Sequence, residues 1–281
     1  MPGILHVVAT PIGNLEDITL RALRVLREVA LIAAEDTRRT AKLLTHHGIS
    51  TPTMSFHEHN AHERLPQLLA RLTRGDSIAV VTDAGTPGVS DPGAELVRAC
   101  VAADVPIDPV PGASAPLTAV VASGFPVLPL VLFGFVPHRS KDRSAFFKTV
   151  SGLESTVTFF ESPHRIVGSL ADASLYLGDR PIMVGRELTK VHQEFLYGTA
   201  GDLSRRLTNP RGEFTVVVGP LVALPKQSTD LTDADVASEF ERAVQNQGVS
   251  RREAIAIVAR KFNKTNREVY AAVERARNSV L

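Results

Sequence analysis

Two consecutive α/β domains and a small helical extension are what this sequence predicts, and three observations carry that reading. From Ile4 to Val218, short apolar runs alternate with segments whose apolar residues recur at helical spacing, the pattern of strands covered by helices. The polar and glycine-rich stretches fall where the apolar runs end, and that is the edge at which α/β sheets hold ligands. The third observation is a shift in charge. Ser250 to Leu281 carries 8 Lys+Arg against 3 Asp+Glu, a balance of +5, while the other 249 residues carry 23 against 27, or −4.

Taken in order, Ile4 to Ala9 is the first strand and Thr10-Pro11-Ile12-Gly13-Asn14 its loop. Leu20, Leu23, Leu26 and Ala30 then lie at helical spacing. Leu31 to Ala34 is a second buried strand, ended by Glu35-Asp36-Thr37-Arg38-Arg39. A helix from Thr40 to His47 stops at Gly48, a common C-terminal glycine. Thr53 to Phe56 opens on His57-Glu58-His59-Asn60, and Leu65, Leu68, Leu69 and Leu72 mark the next helix. Ile78 to Val81 runs into the longest loop, Thr82 to Gly93, with Ala94 to Ala103 helical beyond it. Pro106 to Pro109 is a fifth strand, followed by Pro111-Gly112-Ala113-Ser114 and a helix from Ala115 to Ser123.

Gly124-Phe125-Pro126 then makes a hinge. Val131 to Phe133, Thr156 to Phe160, Ile182 to Val184, Phe195 to Tyr197 and Phe214 to Val218 read as strands of a second domain, with more antiparallel pairing than the first. Arg139 to Arg143 reads as a charged loop. Ser162-Pro163 reads as a helix start that places His164 and Arg165 in a first helical turn. Gly219 to Thr229 is a linker, and three short helices follow. Two of them open with capping boxes, Ser250 to Glu253 and Thr265 to Glu268. The expected division is 1–123, 124–219 and a basic helical extension at 230–281.

With 281 residues, 44% of them hydrophobic, the chain can build ordinary cores without staples. Its one cysteine, Cys100, excludes a disulfide framework and a Cys-based zinc site, and suits a reducing, cytoplasmic setting. No apolar run approaches the ~18 residues of a membrane span. Met1 to Ala9 is too short for a signal peptide and reads as a strand. The basic end fits a nucleic-acid partner, and charge alone fits a solvated helix face equally well.

The loops carry the chemistry. A single Gly-Pro pair marks a turn, but Thr82 to Gly93 holds Gly85, Gly88 and Gly93 with Pro87 and Pro92. That is longer than a turn needs, and it lets a ligand approach bare backbone. The first loop lacks the G-x-G-x-x-G of a dinucleotide site, and there is no P-loop. A nucleoside ligand without phosphates is compatible with this. His57, His59 and His62 beside Glu58 and Glu63 match no strong metal pattern, so no metal is expected. Asp83, ending a buried strand, either accepts hydrogen bonds from a ligand or caps its own loop. Glu187 and Lys190, at i and i+3 after a strand, make a plain ion pair or, in a cleft, orient and deprotonate a hydroxyl.

Six of these stretches resemble a known family. They are Ala9 to Thr19, Ala34 to Arg38, His57 to Asn60, Asp83 to Gly93, Phe160 to Arg165 and Arg186 to Lys190. In this order they are similar to the tetrapyrrole methylases, and within them to the branch that acts on small-subunit ribosomal RNA. Thr82 stands where Ser is expected, which keeps the hydroxyl. The resemblance implies two α/β domains, a homodimer, and S-adenosylmethionine held in the cleft between the domains. It implies methylation of the ribose 2′-hydroxyl of one cytidine, in free RNA or in the assembled subunit. By the family's pattern the cofactor touches Ile12, Asp83, Gly85, Thr86, Ser114 and Ala115, with Ser162 and Thr215 added by the second domain. Glu187 and Lys190 are the first candidates for the chemical step, then Glu161 or Glu58. Arg38, Arg39, Arg165 and the basic end, with Arg251, Arg252, Lys261 and Lys264, are expected to hold phosphates. A macrocycle or protein side-chain methylase on the same scaffold is one alternative. A non-catalytic RNA-binding assembly factor is the other.

The charge asymmetry has a direct test. Each phosphate neutralised adds about −0.7 to −0.9 to the slope of log affinity against log salt. Removing residues 231–281 is expected to weaken RNA binding and flatten that slope, with cofactor affinity unchanged in calorimetry. A truncated chain with the same slope shows that the extension does not grip RNA.

Overall fold

The structure is a computed structural model and describes residues 2–88, 93–221, 233–247, 250–262 and 265–278. The chain divides into two compact units, Met1–Leu221 and Val222–Leu281. Within the first unit lie two sheets of five strands each.

The first sheet contains β1 (Leu5–Val8), β2 (Leu31–Ala34), β3 (Thr53–Ser55), β4 (Ile78–Val81) and β5 (Ile107–Val110). All pair in parallel, in the order β3-β2-β4-β1-β5. Helices α1 (Leu20–Glu28), α2 (Thr37–His46), α3 (Ala61–Thr73), α4 (Gly93–Ala102) and α5 (Ala115–Ala122) connect or follow these strands. Side-chain alternation explains why both faces are covered. Leu31 and Ala33 pack with Leu68, Leu72 and Leu96 of α3 and α4. Ile32 and Ala34 point the other way, to Ala22, Val25, Leu26 and Leu44 of α1 and α2.

The second sheet contains β6 (Leu130–Phe135), β7 (Thr156–Glu161), β8 (Ile182–Arg186), β9 (Glu194–Gly198) and β10 (Phe214–Val218). Their order is β6-β7-β10-β8-β9. Only β6 and β7 run parallel; β10 pairs antiparallel with β7 and β8, as β8 does with β9. One face packs on α6 (Ser140–Ser151), α7 (Ile166–Leu177) and α8 (Ala200–Arg206). The other face receives α5 of the first half, where Ala119 and Val120 meet Met183 and Val217. The second unit is a separate bundle of α9 (Asp233–Gln247), α10 (Arg251–Phe262) and α11 (Asn266–Asn278) around its own core of Val236, Phe240, Val258 and Val269. Both capping boxes form. Glu253 Oε2 accepts from Ser250 N at 3.0 Å, and Glu268 Oε2 accepts from Thr265 N at 2.7 Å.

Some local expectations change. Helix α2 starts at Thr37, three residues before the expected Thr40, because Asp36 caps it by accepting from Arg38 N at 2.8 Å. The charged stretch from Arg139 is largely the first turn of α6 rather than a loop, with Asp142 at its dipole-favoured end. Arg143 there is held by Asp172 at 2.6 Å. Helix α7 begins at Ile166, so His164 and Arg165 lie in a turn before it. The Ser162 carbonyl accepts from both Arg165 N and Ile166 N, which closes that turn. On α1 the buried face is Ala22, Val25 and Leu26, while Leu20 faces water.

One buried charge stands out in the second sheet. Arg180, 7% exposed, donates to three backbone carbonyls: Gly219 at 2.6 Å, Val150 at 2.8 Å and Ser155 at 2.8 Å. Burial pushes its pKa down. The Val150 carbonyl also accepts from Leu153 N at 3.2 Å, so truncation would leave the other two buried carbonyls unpaired, at about 1–3 kcal/mol each. Arg180→Met is therefore expected to lose about 2 kcal/mol or more in urea unfolding. Arg180→Lys should recover only part, since an ammonium lacks the planar fork. A loss below about 1 kcal/mol would mean that water replaces the guanidinium.

Candidate active site

The carboxyl edge of the first sheet faces the second sheet across a cleft of about 400 Å³. On the first wall, the loop after β4 is pinned to the loop after β1. Thr10 and Gly85 exchange backbone hydrogen bonds at 2.9 and 3.0 Å, and Thr10 Oγ1 donates to Thr82 O at 3.1 Å. Gly85 has φ +83°, a conformation that side chains rarely adopt, although a Cβ there would have room. Glycine is needed for its backbone angle, and the loop's peptide groups stay bare beside the cleft.

The first wall is acidic. Glu35 Oε2 accepts from Thr82 Oγ1 and, at 3.1 Å, from Asp83 N. Asp83 Oδ1 accepts from Asp36 N at 3.0 Å, and its Oδ2 lies 3.3 Å from Arg39 Nη1. Burial, and next the negative charge of Glu35, raise the Asp83 pKa; Arg39 and the Asp36 amide offset this only in part. The Thr at position 82 thus uses its hydroxyl to hold Glu35, as Ser would.

The opposite wall comes from strand ends of the second sheet. Phe135, Phe160, Ser162, Gly212, Glu213 and Thr215 line it. Behind them a loop at residues 187–190 is tightly held. Glu187 Oε1 accepts from Glu213 N at 2.8 Å and lies 2.8 Å from Lys190 Nζ, which is 2.9 Å from Glu213 Oε2. Glu187 and Thr189 have φ of +50° and +65°, a strained conformation for side-chain-bearing residues. Two glycines make room for this loop. A Cβ at Gly13 would lie 2.6 Å from Lys190 Cγ, and one at Gly212 would lie 2.4 Å from Glu187 Oε1.

Burial pushes the Glu187 carboxyl up, but the Lys190 hydrogen bond, the Glu213 amide and the neighbouring cations outweigh it and hold it below its usual value. For Lys190 burial acts downward, and the two carboxylates more than reverse it, so its pKa is raised.

All eight residues expected at the cofactor line this one cleft: Ile12, Asp83, Gly85, Thr86, Ser114, Ala115, Ser162 and Thr215. Arg39 lines it as well. Glu187 and Lys190 do not, although their neighbours Leu188 and Glu213 do. Glu161 also lines the cleft, but it is 1% exposed and saturated by Ser162 N, Ser169 Oγ and Arg165 Nη2. Arg165, expected to meet phosphate, spends its guanidinium on Glu161 at 2.6 Å and the Val136 carbonyl at 3.1 Å. Arg38 is 90% exposed outside the cavity. The His57 loop, with Glu58, follows edge strand β3 and does not line the cleft.

In the second unit Arg251 lies over the Phe240 ring, 5.8 Å from its centroid. Lys264, residues 89–92 and the side chains of Arg252 and Lys261 lie outside the described residues. Among the described residues no group of three or more His, Cys, Asp or Glu is placed to hold a metal ion, and no helix is long and apolar enough to cross a membrane. Sequence reasoning missed Glu35, Glu213 and Phe135 as cleft residues. Glu35 sat in a loop already singled out, whereas Glu213 follows an unremarkable Arg-Gly.

The family profile described as Tetrapyrrole (Corrin/Porphyrin) Methylases matches residues 5–204. The chain belongs to this family. A relative from Synechocystis sp., named ribosomal RNA small subunit methyltransferase I, is 41% identical over 271 residues, covering 95% of this methylase and 96% of the relative. One of the same name from Micromonospora olivasterospora is 48% identical over 219 residues, covering 77% and 70%. Solved structures show the same fold at low identity. A diphthine synthase aligns with TM-score 0.62 at 14% identity, covering 77% of this methylase and 90% of that chain. The uroporphyrin-III-C-methyltransferase from Thermus thermophilus aligns with TM-score 0.56 at 20% identity, covering 79% and 96%.

Asp83 gives a stability test. Its folded pKa lies above the unfolded one, so stability falls as pH rises through those values, and the cost is fully present at neutral pH. Asp83→Asn removes the charge and keeps an oxygen for Asp36 N. The ligand-free variant is expected to melt higher than the parent at neutral pH, with the gap closing in acid. A lower melting temperature at neutral pH would show that the carboxylate stabilises the loop instead.

Proposed function

We propose that this chain transfers a methyl group from S-adenosylmethionine to the ribose 2′-hydroxyl of a cytidine in small-subunit (16S) ribosomal RNA, cytidine 1402. The observation that carries this reading is the chemistry of the cleft. It joins bare peptide at Gly85, an acidic wall at Glu35 and Asp83, and apolar surface at Ile12 and Leu188, with a volume suited to a nucleoside-sized ligand. Negative charge there favours a cationic ligand. The shared name of relatives at 40–48% identity supports RNA rather than a macrocycle as substrate. Assembly as a homodimer belongs to the same reading.

Ile12, Gly85, Thr86, Ser114 and Ala115 would hold the cofactor from the first wall, and Ser162 and Thr215 from the second. When bound, the cofactor supplies a methyl already activated on a sulfonium centre. The protein's task is then alignment, which can contribute ~7–11 kcal/mol, together with handling one proton. Lys190, with its pKa raised, stays an ammonium at neutral pH and does not act as a base. Its positive charge favours oxygen as it loses its proton. Of the two carboxylates that grip Lys190, Glu213 is the one that lines the cleft, which makes it the proton acceptor; Glu187 holds the loop. Arg39 at the cleft and Arg38 outside it, both largely exposed, would reach phosphate in this scheme by giving up their contacts with Asp83 and Asp36.

Methyl transfer to small-subunit RNA tests the reaction. Incorporation from labelled cofactor is expected with a ribose at the target and none with 2′-deoxycytidine there. Transfer to the deoxy substrate would move the acceptor to the base. For the residues, Lys190→Ala should lower kcat about 10²-fold or more, with cofactor affinity little changed. The Lys190 contribution is lost only as pH rises through its raised pKa, and that of Glu187 only as pH falls through its lowered one. The pair should therefore add no step to the rate profile near neutrality, and a step there that vanishes in Lys190→Ala would contradict this assignment.

A further inference from the structure

Phe135 is 59% exposed although it ends a strand whose other aromatic residue, Phe133, packs into the core. The register of β6 on β7 explains this. Leu132 pairs with Thr158 and Phe135 with Phe160, so β6 takes three steps where β7 takes two. The extra residue reverses the side-chain phase, as a β-bulge does. Before it, Val131 and Phe133 face the core; after it, Val136 does, and Phe135 turns to the cleft. With regular pairing Gly134 would oppose Phe160 and Phe135 would point inward.

The bulge places Phe135 against Phe160, with ring centroids 5.4 Å apart. Across the sheet the row continues to Thr215, which pairs with Phe160. All three residues line the cavity. Thr215 lies on a central strand, while Phe135 lies on edge strand β6, at the outer end of the row. One nucleoside-sized cofactor would fill a cavity of about 400 Å³. A second nucleotide must therefore rest at the outer end, where an apolar ring stands half in water.

We propose that Phe135, backed by Phe160, is the stacking platform for the unpaired target base of the RNA substrate. This rests on the RNA methylation proposed above. Target nucleotides of single-stranded RNA are splayed out and stacked on aromatic side chains, and such a platform changes affinity about 5- to 150-fold per base. Phe135 contacts the base and leaves the proton and methyl transfer to other residues.

The chain contains no tryptophan, so Phe135→Trp introduces a single fluorescent reporter at the platform. Its emission is expected to be quenched by a small-subunit RNA fragment bearing the target cytidine. It should stay unchanged with S-adenosylhomocysteine alone or with the same fragment abasic at the target. Phe135→Ala is expected to raise KM for RNA about 5- to 150-fold, to keep cofactor affinity within about twofold in calorimetry, and to be rescued by Phe135→Tyr. Quenching by S-adenosylhomocysteine alone would assign the ring to the cofactor's adenine and overturn the proposal. Equal quenching by the abasic fragment, or none by either RNA, would overturn it as well. Absence of methyl transfer by the parent protein, with base-dependent quenching retained, would instead refute the reaction and leave the platform standing.

Discussion

Leu188 is the point at which the two sheets become one object. It packs with Ile12 of the first half and Met183 and Val217 of the second, while its flanking residues press on Gly13. Gly13 has no side chain because Lys190 and Thr189 occupy that space, and Gly212 has none because Glu187 does. The width of the cleft follows from this contact. A side chain at Gly13 would push the 187–190 loop away from the first wall, and one at Gly212 would displace Glu187 from within the second. Helix α5 reinforces the joint by burying Ala119 and Val120 against the same strands.

The strain at Glu187 and Thr189 belongs to that arrangement. Left-handed backbone at side-chain-bearing residues costs on the order of 1–3 kcal/mol each. The ion pairs of Lys190 and the hydrogen bond from Glu213 N to Glu187 offset that cost by fixing the loop in one conformation. The loop thus holds the Lys190 ammonium between two carboxylates, outside the set of residues that line the cleft. The opposite wall follows the reverse logic, with burial and the nearby Glu35 disfavouring the charge on Asp83.

Much of the fold was legible because the apolar pattern is strong. Ile78 to Val81, Leu31 to Ala34 and Phe214 to Val218 appear as strands with the expected bounds, since continuous burial on both faces leaves runs with at most one polar residue, Thr215. The site was legible to the extent that it lies on strand ends and glycine loops, and those placed Gly85 and Asp83 at the cavity. What stayed hidden depended on long-range partners. Arg165 looks like a free cation in sequence, but its guanidinium is consumed by the buried Glu161, four residues before it, and by the Val136 carbonyl, 29 residues away. Glu213 gains its position from Lys190, 23 residues away. Phe135 owes its direction to one extra residue in a strand, which leaves no trace in composition or periodicity.

Arg180 also bears on how the second sheet comes together. Its three carbonyl partners lie 25, 30 and 39 residues away, on either side in the chain. No local segment can supply even one of them. The guanidinium must stay in water until the end of α6, the turn before β7 and the exit of β10 have all converged. Closing such loops costs entropy before any contact rewards it. The residue therefore opposes partial assembly and rewards only the finished sheet, which makes folding of this half more nearly all-or-none than its apolar core alone would require.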